Sequence, residues 1–276
     1  MPRSPPPPPV SREDQIAGAI EHFRDAALYD HDYRRRRDDV RFYRSLAAER
    51  DGPVLDLACG TGRLMVPLLR DGHTVVGLDH APAMLAGAAA KLRRLPAAAR
   101  ARALLIRADL RRFAVAERRF AFAVVAFHGI QHLTSDGDLL RFLRQARRAL
   151  VPGGWLAFDV FVPHPRFLAR DQARRWDRTR FRDPTTDRDT IYTIDHRYDA
   201  RRRLLLMRMH YQPVDGRGRP GGPERTLRLC HRQLGPDEAQ VLVERAGMKI
   251  IATWGDFAGG ALRAETEQHI YLVKSG

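Results

Sequence analysis

Cysteine is scarce in this 276-residue sequence, and the two thiols, Cys59 and Cys230, lie far apart. Two isolated cysteines provide neither a disulfide framework nor the clustered ligands of a zinc site, so each is expected to be a small buried residue. No apolar run approaches the roughly 18 to 20 residues that span a bilayer, and residues 1–10 are mostly proline without the apolar core of a signal peptide. We therefore expect a cytoplasmic protein whose proline-rich tail, residues 1–10, is disordered.

Lysine is also scarce, although the formal net charge is +15. All but three of the 48 basic residues are arginine, and the arginines are spread along the whole chain without a basic tail. A strong positive charge is one mark of nucleic-acid binding, but an arginine bias of this kind also follows from a GC-rich coding sequence. A nucleic-acid substrate therefore stays open as an alternative, and a small-molecule substrate is favoured.

Strand-like and helix-like segments alternate between Pro53 and Phe161. Five short apolar runs are separated by turns and by segments with helical periodicity, such as the alanine-rich stretch after Pro82. Repeated alternation of this kind predicts an α/β fold in which a parallel sheet carries helices on both faces. Apolar residues make up 44% of the chain, which is enough for a substantial core.

The remaining segments divide the chain around this centre. Residues 11–162 combine two N-terminal helices with the five strands, and residues 233–276 add a helix and two more strands. Between them, residues 163–232 are rich in Arg and Asp, and their β-prone stretches predict an inserted antiparallel lid. These stretches are Thr190–Tyr198, Arg203–Tyr211 and Arg225–Arg232.

The strongest local pattern is a strand that runs into a glycine turn, between Val54 and Arg63. Gly60 and Gly62 permit backbone angles and a close ligand approach that a Cβ atom would block, and the following helix offers free backbone amides to a ligand. A dinucleotide-binding turn has a third glycine three residues after the second, but that position is Met65. The spacing therefore disfavours a nicotinamide-dependent oxidoreductase.

Acidic residues close the next two strands. Asp79 comes 17 residues after Gly62, where a carboxylate can accept both hydroxyls of a ribose through charge-assisted hydrogen bonds. The same position also suits a carboxylate that caps the helix beginning at Pro82. Asp109 closes the third strand, where the alternative is an ordinary turn residue.

Five ordered pieces between Pro53 and Phe161 together resemble the motifs of class I methyltransferases, which use S-adenosylmethionine (SAM). Besides the two acidic strand ends, they are the Asp-x-x-x-Gly-x-Gly turn at 56–62, the segment 127–133 after the fourth strand and the turn at 150–155. The resemblance implies a Rossmann-like, mostly parallel sheet of seven strands with helices on both faces, an N-terminal helical cap and the inserted antiparallel β lid.

The same resemblance implies the residues that hold SAM. The glycine turn cradles the methionine part of the cofactor, Asp56 orients this turn, Asp79 binds the ribose, Asp109 accepts the adenine amino group, and Met84 lies against the adenine or belongs to the core. The complete set of expected cofactor residues is Tyr29, Arg36, Asp56, Ala58, Gly60, Thr61, Gly62, Asp79, His80, Met84, Asp109, Leu110 and Phe127.

The N-terminal helix and the pattern Phe-x-x-Ile-x-His-Leu at 127–133 resemble small-molecule N-methyltransferases of the amino-sugar and glycine/sarcosine types. In that family a tyrosine-bearing helix covers the cofactor, which implies that Tyr29 touches SAM while Tyr33 and His132 face the acceptor. His128 is the alternative base, since an unperturbed imidazole titrates near neutrality. These side chains also fit packing roles, and the arginines at 34–37 also fit a solvated surface.

The residues that mark several other methyltransferase classes are missing from this sequence. Adenine or amide methylation would be accompanied by an Asn/Asp-Pro-Pro-Tyr run after the fourth strand, and cytosine methylation by a nucleophilic cysteine on that loop; neither is present. No convincing metal cluster is visible in the sequence either. We therefore predict metal-free, in-line methyl transfer to a nitrogen or oxygen of a small molecule. RNA or protein methylation and non-catalytic SAM binding stay open as alternatives.

The lid is expected to determine which acceptor binds. Its arginines offer a site for a carboxylate on an amine-bearing or carboxylate-bearing acceptor, or else they form a solvated surface. The arginines in question are Arg166, Arg170, Arg174 and Arg175. Both a monomer and a homodimer are compatible with the sequence.

Overall fold

Two β-sheets organise the chain in a computed structural model, which describes residues 9–172 and 174–276. In chain order, the strands are β1 (Val54–Leu57), β2 (Val75–Asp79), β3 (Ala103–Arg107), β4 (Phe120–Val125), β5 (Leu150–Phe161), β6 (Trp176–Arg182), β7 (Asp189–Asp199), β8 (Leu204–Pro213), β9 (Arg225–Arg232), β10 (Met248–Trp254) and β11 (Gln268–Ser275). The α-helices are α1 (Arg12–Gly18), α2 (Ala26–Tyr33), α3 (Asp38–Ala48), α4 (Met65–Arg70), α5 (Pro82–Leu92), α6 (Ala97–Arg100), α7 (Asp136–Ala149), α8 (Pro165–Leu168) and α9 (Pro236–Arg245).

The larger sheet has seven strands in the order β10-β11-β5-β4-β1-β2-β3. Its neighbouring strands are parallel from β5 through β3, and β11 runs antiparallel to both β5 and β10. The predicted seven-stranded, mostly parallel sheet is therefore confirmed. Because the parallel strands end at the same edge, the loops that follow β1, β2, β3 and β4 meet there.

Helices cover both faces of the larger sheet. Alternate residues of β4 point to opposite faces, so that Phe122 and Val124 join one apolar cluster while Ala123 and Val125 join the other. The first cluster is completed by α3 and α4, and the second by α7 and α9. Within the described residues, no helix combines the length and the apolarity that a membrane crossing requires.

The first of the two predicted N-terminal helices is divided into shorter elements in the structure. It consists of α1, a 3₁₀ turn at Glu21–Phe23, and α2, whose first turn is capped by the Asp25 carboxylate. The break follows Gly18, where an added Cβ would lie 2.6 Å from the Cβ of Cys230. The end of the first helix therefore packs closely against β9.

The chain already packs at Val10, which the sequence placed in a disordered tail. Its side chain is fully buried beside Leu204, Leu206 and Cys230, since an apolar residue next to this cluster gains by leaving water. Pro9 is exposed, and residues 1–8 of the predicted tail lie outside the described residues. Both cysteines are free and buried, as expected.

The inserted region forms a separate antiparallel sheet in the order β6-β7-β8-β9. Three of its strands match the predicted stretches, and β6 is an additional strand. The helix α1 and the turn at Glu21–Phe23 pack on β9, and Arg228 of β9 pairs with Glu21 at 2.7 Å and with Asp14 at 3.4 Å. We call this layer, Arg12–Phe23 together with β8 and β9, the roof.

Candidate active site

A large cavity lies beneath the roof, at the edge where β1 to β4 end. Its volume is about 880 Å³, near the upper limit of the roughly 300–1,000 Å³ that ligand sites usually offer. Its wall contains every predicted site residue except Gly62 and Met84. Gly62 faces Ala88 of α5, and Met84 is fully buried beside Ala81. Of the two roles predicted for Met84, the structure favours the core, because its side chain is fully buried there.

The turn after β1 has a left-handed backbone at Ala58 (φ 58°), Gly60 (φ 54°) and Gly62 (φ 75°). This conformation is costly for a residue with a side chain, so Ala58 must be held in it by its surroundings. Within the described part of the chain, no atom lies within 4 Å of a Cβ built on Gly60. The turn therefore presents its backbone to open space. The hydroxyl of Thr61 instead donates to Asp30 at 2.6 Å, which ties the turn to α2.

Two buried carboxylates stand behind this turn. Asp79 accepts hydrogen bonds from the backbone amides of Gly60 at 2.9 Å and Ala81 at 2.8 Å, so it joins the ends of β1 and β2. Burial raises the pKa of Asp79 and raises that of Asp56 to about 7. One oxygen of Asp56 finds no partner among residues 9–172 and 174–276. A buried acceptor without a donor indicates room for one from a ligand or a water molecule.

An ion pair occupies the end of the cavity where the sequence predicts the adenine. Asp109 and Leu110 line the cavity as predicted, but the Asp109 carboxylate is engaged by the guanidinium of Arg111, with Nε at 2.9 and 3.0 Å. This pairing lowers the pKa of Asp109. His80 completes this part of the wall, with its ring 3.8 Å from Asp79.

Aromatic rings form the middle of the cavity. Tyr29 and Tyr33 of α2 lie 4.8 Å apart, and Tyr33 packs edge-on against Phe127 at 4.7 Å. The guanidinium of Arg63 stands 4.6 Å from the Phe127 ring centre and pairs with Asp39. Arg36 reaches the same wall. Arg63 was missed as a site residue, although it directly follows the glycine motif.

Four imidazoles surround the remainder of the cavity. His128 and His132 were predicted, whereas His22 and His231 come from the roof and were missed. The rings of His132 and His231 lie 4.7 Å apart, and His22 bonds the Tyr33 hydroxyl at 2.9 Å. Burial lowers the pKa of His22 to about 4 and that of His132 to about 3. These two rings are therefore uncharged at neutral pH.

Asp159 of β5 organises the loop that follows β4. Its carboxylate, fully buried, accepts the backbone amides of Phe127 at 2.9 Å and His128 at 3.0 Å and the Tyr43 hydroxyl at 2.5 Å. Phe127 and His128 both have left-handed backbones, with φ values of 57° and 62°. Consecutive residues rarely adopt this conformation without support, and Asp159 supplies it. No local motif marks this role, because Asp159 lies 32 residues beyond Phe127.

The arginines expected to hold a carboxylate do not line the cavity. Arg170 stacks on Phe167 and Trp176 at 5.6 and 5.2 Å, and Arg175 pairs with Glu224. Arg166 and Arg174 are likewise absent from the wall formed by the described residues. The insert instead contributes the side chains of Met207, Leu229 and His231. Its arginines thus belong to the surface and to ion pairs.

The core of the fold matches a known protein family. Residues 54–154, which contain β1 to β4 and the start of β5, match the model of the methyltransferase domain. Residues 54–154 form a methyltransferase domain. The match confirms the resemblance that the ordered motifs indicated, and it covers the glycine turn, both acidic strand ends and the loop held by Asp159.

Individual proteins are similar to parts or to most of this chain. The N-methyltransferase FrzE of Cladobotryum sp is 32% identical over 124 residues, which are 40% of this chain and 43% of FrzE. The chain thus spans about two-fifths of the length of the curated relatives that it matches.

Two solved methyltransferase structures share the fold along nearly the whole chain. The CcbJ methyltransferase of Streptomyces caelestis has a TM-score of 0.74 and 20% identity, covering 94% of this chain and 99% of CcbJ. The amino pentose methyltransferase CalS10 of Micromonospora echinaspora, solved with SAM bound, has a TM-score of 0.68 and 19% identity, covering 90% and 97%. Because the two comparisons cover 94% and 90% of this chain, the shared fold extends beyond residues 54–154 into the insert.

Proposed function

We propose that this chain transfers a methyl group from SAM to a nitrogen of a small-molecule amine. The observation that carries the proposal is one cavity in which the glycine turn and Asp79 adjoin a pocket of aromatic rings and imidazoles. Support also comes from the relative FrzE, named an N-methyltransferase, and from CalS10, named an amino pentose methyltransferase.

The cofactor half of the cavity fits SAM by its chemistry. When bound, SAM supplies an electrophilic methyl group on a positively charged sulfur. The open backbone at Gly60 would hold the methionine part of SAM. Asp79 would accept the ribose hydroxyls with the lone pairs that the amides of Gly60 and Ala81 leave unused. The unpaired oxygen of Asp56 and the ring of Tyr29 favour a cation nearby.

The acceptor half favours an amine in its uncharged form. Its side chains include His22, His132 and His231, and burial lowers the pKa of each. A site of uncharged rings beneath a roof disfavours an ammonium ion, because a buried charge loses its hydration. The free amine is the nucleophile that methyl transfer needs, so the pocket both shields the reaction from water and promotes the reactive form.

The basic composition gives weaker support to an RNA substrate. Many arginines are neutralised by near neighbours: Arg228 pairs with Glu21, Arg44 with Asp71 at 2.6 Å, and Arg232 with Asp136. The roof also forms part of the cavity wall, and an acceptor enclosed between roof and sheet has to be small.

Transfer of label from methyl-labelled SAM tests the proposal. The purified protein would be offered separate pools of small amines, amino acids, alcohols and total RNA, with boiled protein as the blank. We expect label in a small amine, with mass analysis identifying the product as the N-methylated form of that amine. Label confined to an alcohol or to RNA would contradict the proposal, and label in none of them would favour a protein that binds SAM without turning it over.

A further inference from the structure

His128 is held by two polar residues that lie outside the glycine motif. Its Nε2 atom is 3.1 Å from Oε1 of Gln268 on β11 and 3.4 Å from the carboxylate of Asp159. The same carboxylate accepts the backbone amide of His128. Both the ring and the backbone of this residue are thus fixed from the side of the sheet.

The orientation of the Gln268 amide follows from its neighbours. Its NH₂ group donates to Asp159 at 3.1 Å and to the backbone carbonyl of Val160 at 3.4 Å. A backbone carbonyl only accepts hydrogen bonds, so the NH₂ group must face it, and the Oε1 atom must face His128. An amide oxygen also only accepts, and therefore His128 Nε2 must carry the proton of this hydrogen bond.

A neutral imidazole that carries its proton on Nε2 has an unprotonated Nδ1. Nδ1 of His128 makes no hydrogen bond to residues 9–172 or 174–276. The atom is not buried, so it is accessible from the cavity. The ring lines the cavity, with 18% of its side chain exposed. His128 thus offers a hydrogen-bond acceptor where a ligand can reach it.

His132 lacks comparable support. Its Nδ1 atom is buried without a partner among the described residues, and its ring makes edge contacts with Phe23 at 5.1 Å and with His231. No hydrogen bond in the described part of the chain orients this ring. Its place is that of a packed wall residue, although the sequence pattern favoured it as the base.

We propose that Asp159 and Gln268 are positioning residues that lock His128 as the Nε2–H tautomer, and that its Nδ1 atom takes the proton from the acceptor. The inference rests on the proposed methyl transfer to an amine. An amine acceptor is mostly an ammonium ion in water, and the pocket disfavours that form, so the ion gives one N–H proton to Nδ1 as it binds. The N–H electron pair stays on nitrogen. That pair forms the new N–CH₃ bond as the methyl–sulfur bond breaks, and the sulfur keeps the electrons of the broken bond. The imidazolium then returns its proton to water.

The tautomer can be observed directly, without any acceptor. Long-range proton–nitrogen correlation spectra of protein labelled with ¹⁵N-histidine, saturated with S-adenosylhomocysteine (SAH), distinguish a protonated from a bare ring nitrogen. His128→Asn identifies the signal by its loss. We expect a protonated Nε2 and a bare Nδ1 at His128, and in Gln268→Met a shift toward the opposite tautomer. Gln240→Met, the same change on α9, should leave the His128 signal as it is.

The kinetic consequence uses the first small amine that the wild type methylates. Gln268→Met should lower kcat by about 10²-fold, the lower range for loss of a positioned base, with the KM for SAM unchanged. Its unfolding midpoint should fall, because the buried Asp159 carboxylate loses a hydrogen bond, so kcat is compared at a temperature where both proteins are fully folded. A protonated Nδ1 in the wild type, or a Gln268→Met variant with the wild-type tautomer and kcat, would overturn the inference. If the wild type methylates no amine, the proposed function fails, and the spectra still decide whether the tautomer is locked.

Discussion

Replacing His132 with phenylalanine should make folding less sensitive to acid. Burial lowers the pKa of His132 from about 6.5 to about 3 in the folded protein. Between these values, the unfolded chain binds a proton that the folded chain refuses, so the folded state loses stability as the pH falls below about 6.5. Above that pH both states hold a neutral ring, and this residue adds no pH dependence.

The size of the effect follows from the same two pKa values. Each pH unit below about 6.5 costs about 1.4 kcal/mol per group, so the wild type should lose about 2.5 kcal/mol relative to His132→Phe between pH 7.5 and pH 4.5. The buried carboxyl of Asp56, with its pKa raised to about 7, acts in the opposite direction, because its folded form holds a proton that its unfolded form releases. Both proteins contain Asp56, and the difference between them isolates His132.

Urea unfolding at several pH values, followed by circular dichroism, measures this difference. Phenylalanine keeps an aromatic ring against Phe23 and His231, and His132 makes no hydrogen bond to the described residues that would be lost. Phe23→Leu serves as the control, because it weakens the same packing while keeping the imidazole, and it should shift stability equally at every pH. Parallel stability curves for the wild type and His132→Phe would refute the assigned burial of this ring.

Further predictions concern the turn and the Tyr33 hydroxyl. Gly60→Val should abolish SAH binding. A β-branched side chain disfavours the left-handed backbone by about 1–3 kcal/mol, and it fills the open space at the turn. A wild-type affinity for SAH, measured by calorimetry, would contradict the assignment of this turn to the cofactor. Tyr33→Phe should lower the free energy of unfolding by about 1–3 kcal/mol, because buried His22 then loses its hydrogen bond. Tyr192→Phe, which removes a hydroxyl without a partner among the described residues, should cost less in the same urea titration.

The parts of the site that could be predicted from the sequence are those encoded locally. Asp56, Gly60 and Gly62 lie within one strand and its following turn. Asp79 ends the next strand, which pairs in parallel with the first, so both strands bring these residues to the same edge of the sheet. Strand–helix alternation likewise predicted the parallel sheet with helices on both faces, and the family resemblance implied its seven strands. Periodicity failed at β6, where charged residues predominate and a bulge between Trp176 and Thr179 interrupts the alternation, so that this edge strand resembled a loop.

The parts that could not be predicted depend on contacts between distant segments. Asp159 and Gln268 lie 109 residues apart, and they meet because β11 runs antiparallel beside β5. His231 reaches the cavity because α1 and the turn at Glu21–Phe23 hold β9 over it. No motif marks such residues, since their roles arise only when the roof and the sheet are assembled.

The most direct test of SAM binding is calorimetric titration of the folded protein with SAH, in parallel with Asp79→Asn and with Asp237→Asn as a control on α9. We expect the wild type and the control to bind equally. Asp79→Asn should bind about 30-fold more weakly, which corresponds to about 2 kcal/mol for charge-assisted bonds to the ribose. Urea unfolding of Asp79→Asn would check the turn, because asparagine keeps only one of the two oxygens that accept the amides of Gly60 and Ala81. Equal affinity in all three proteins, or no binding by the folded wild type, would contradict the assignment of this cavity to SAM.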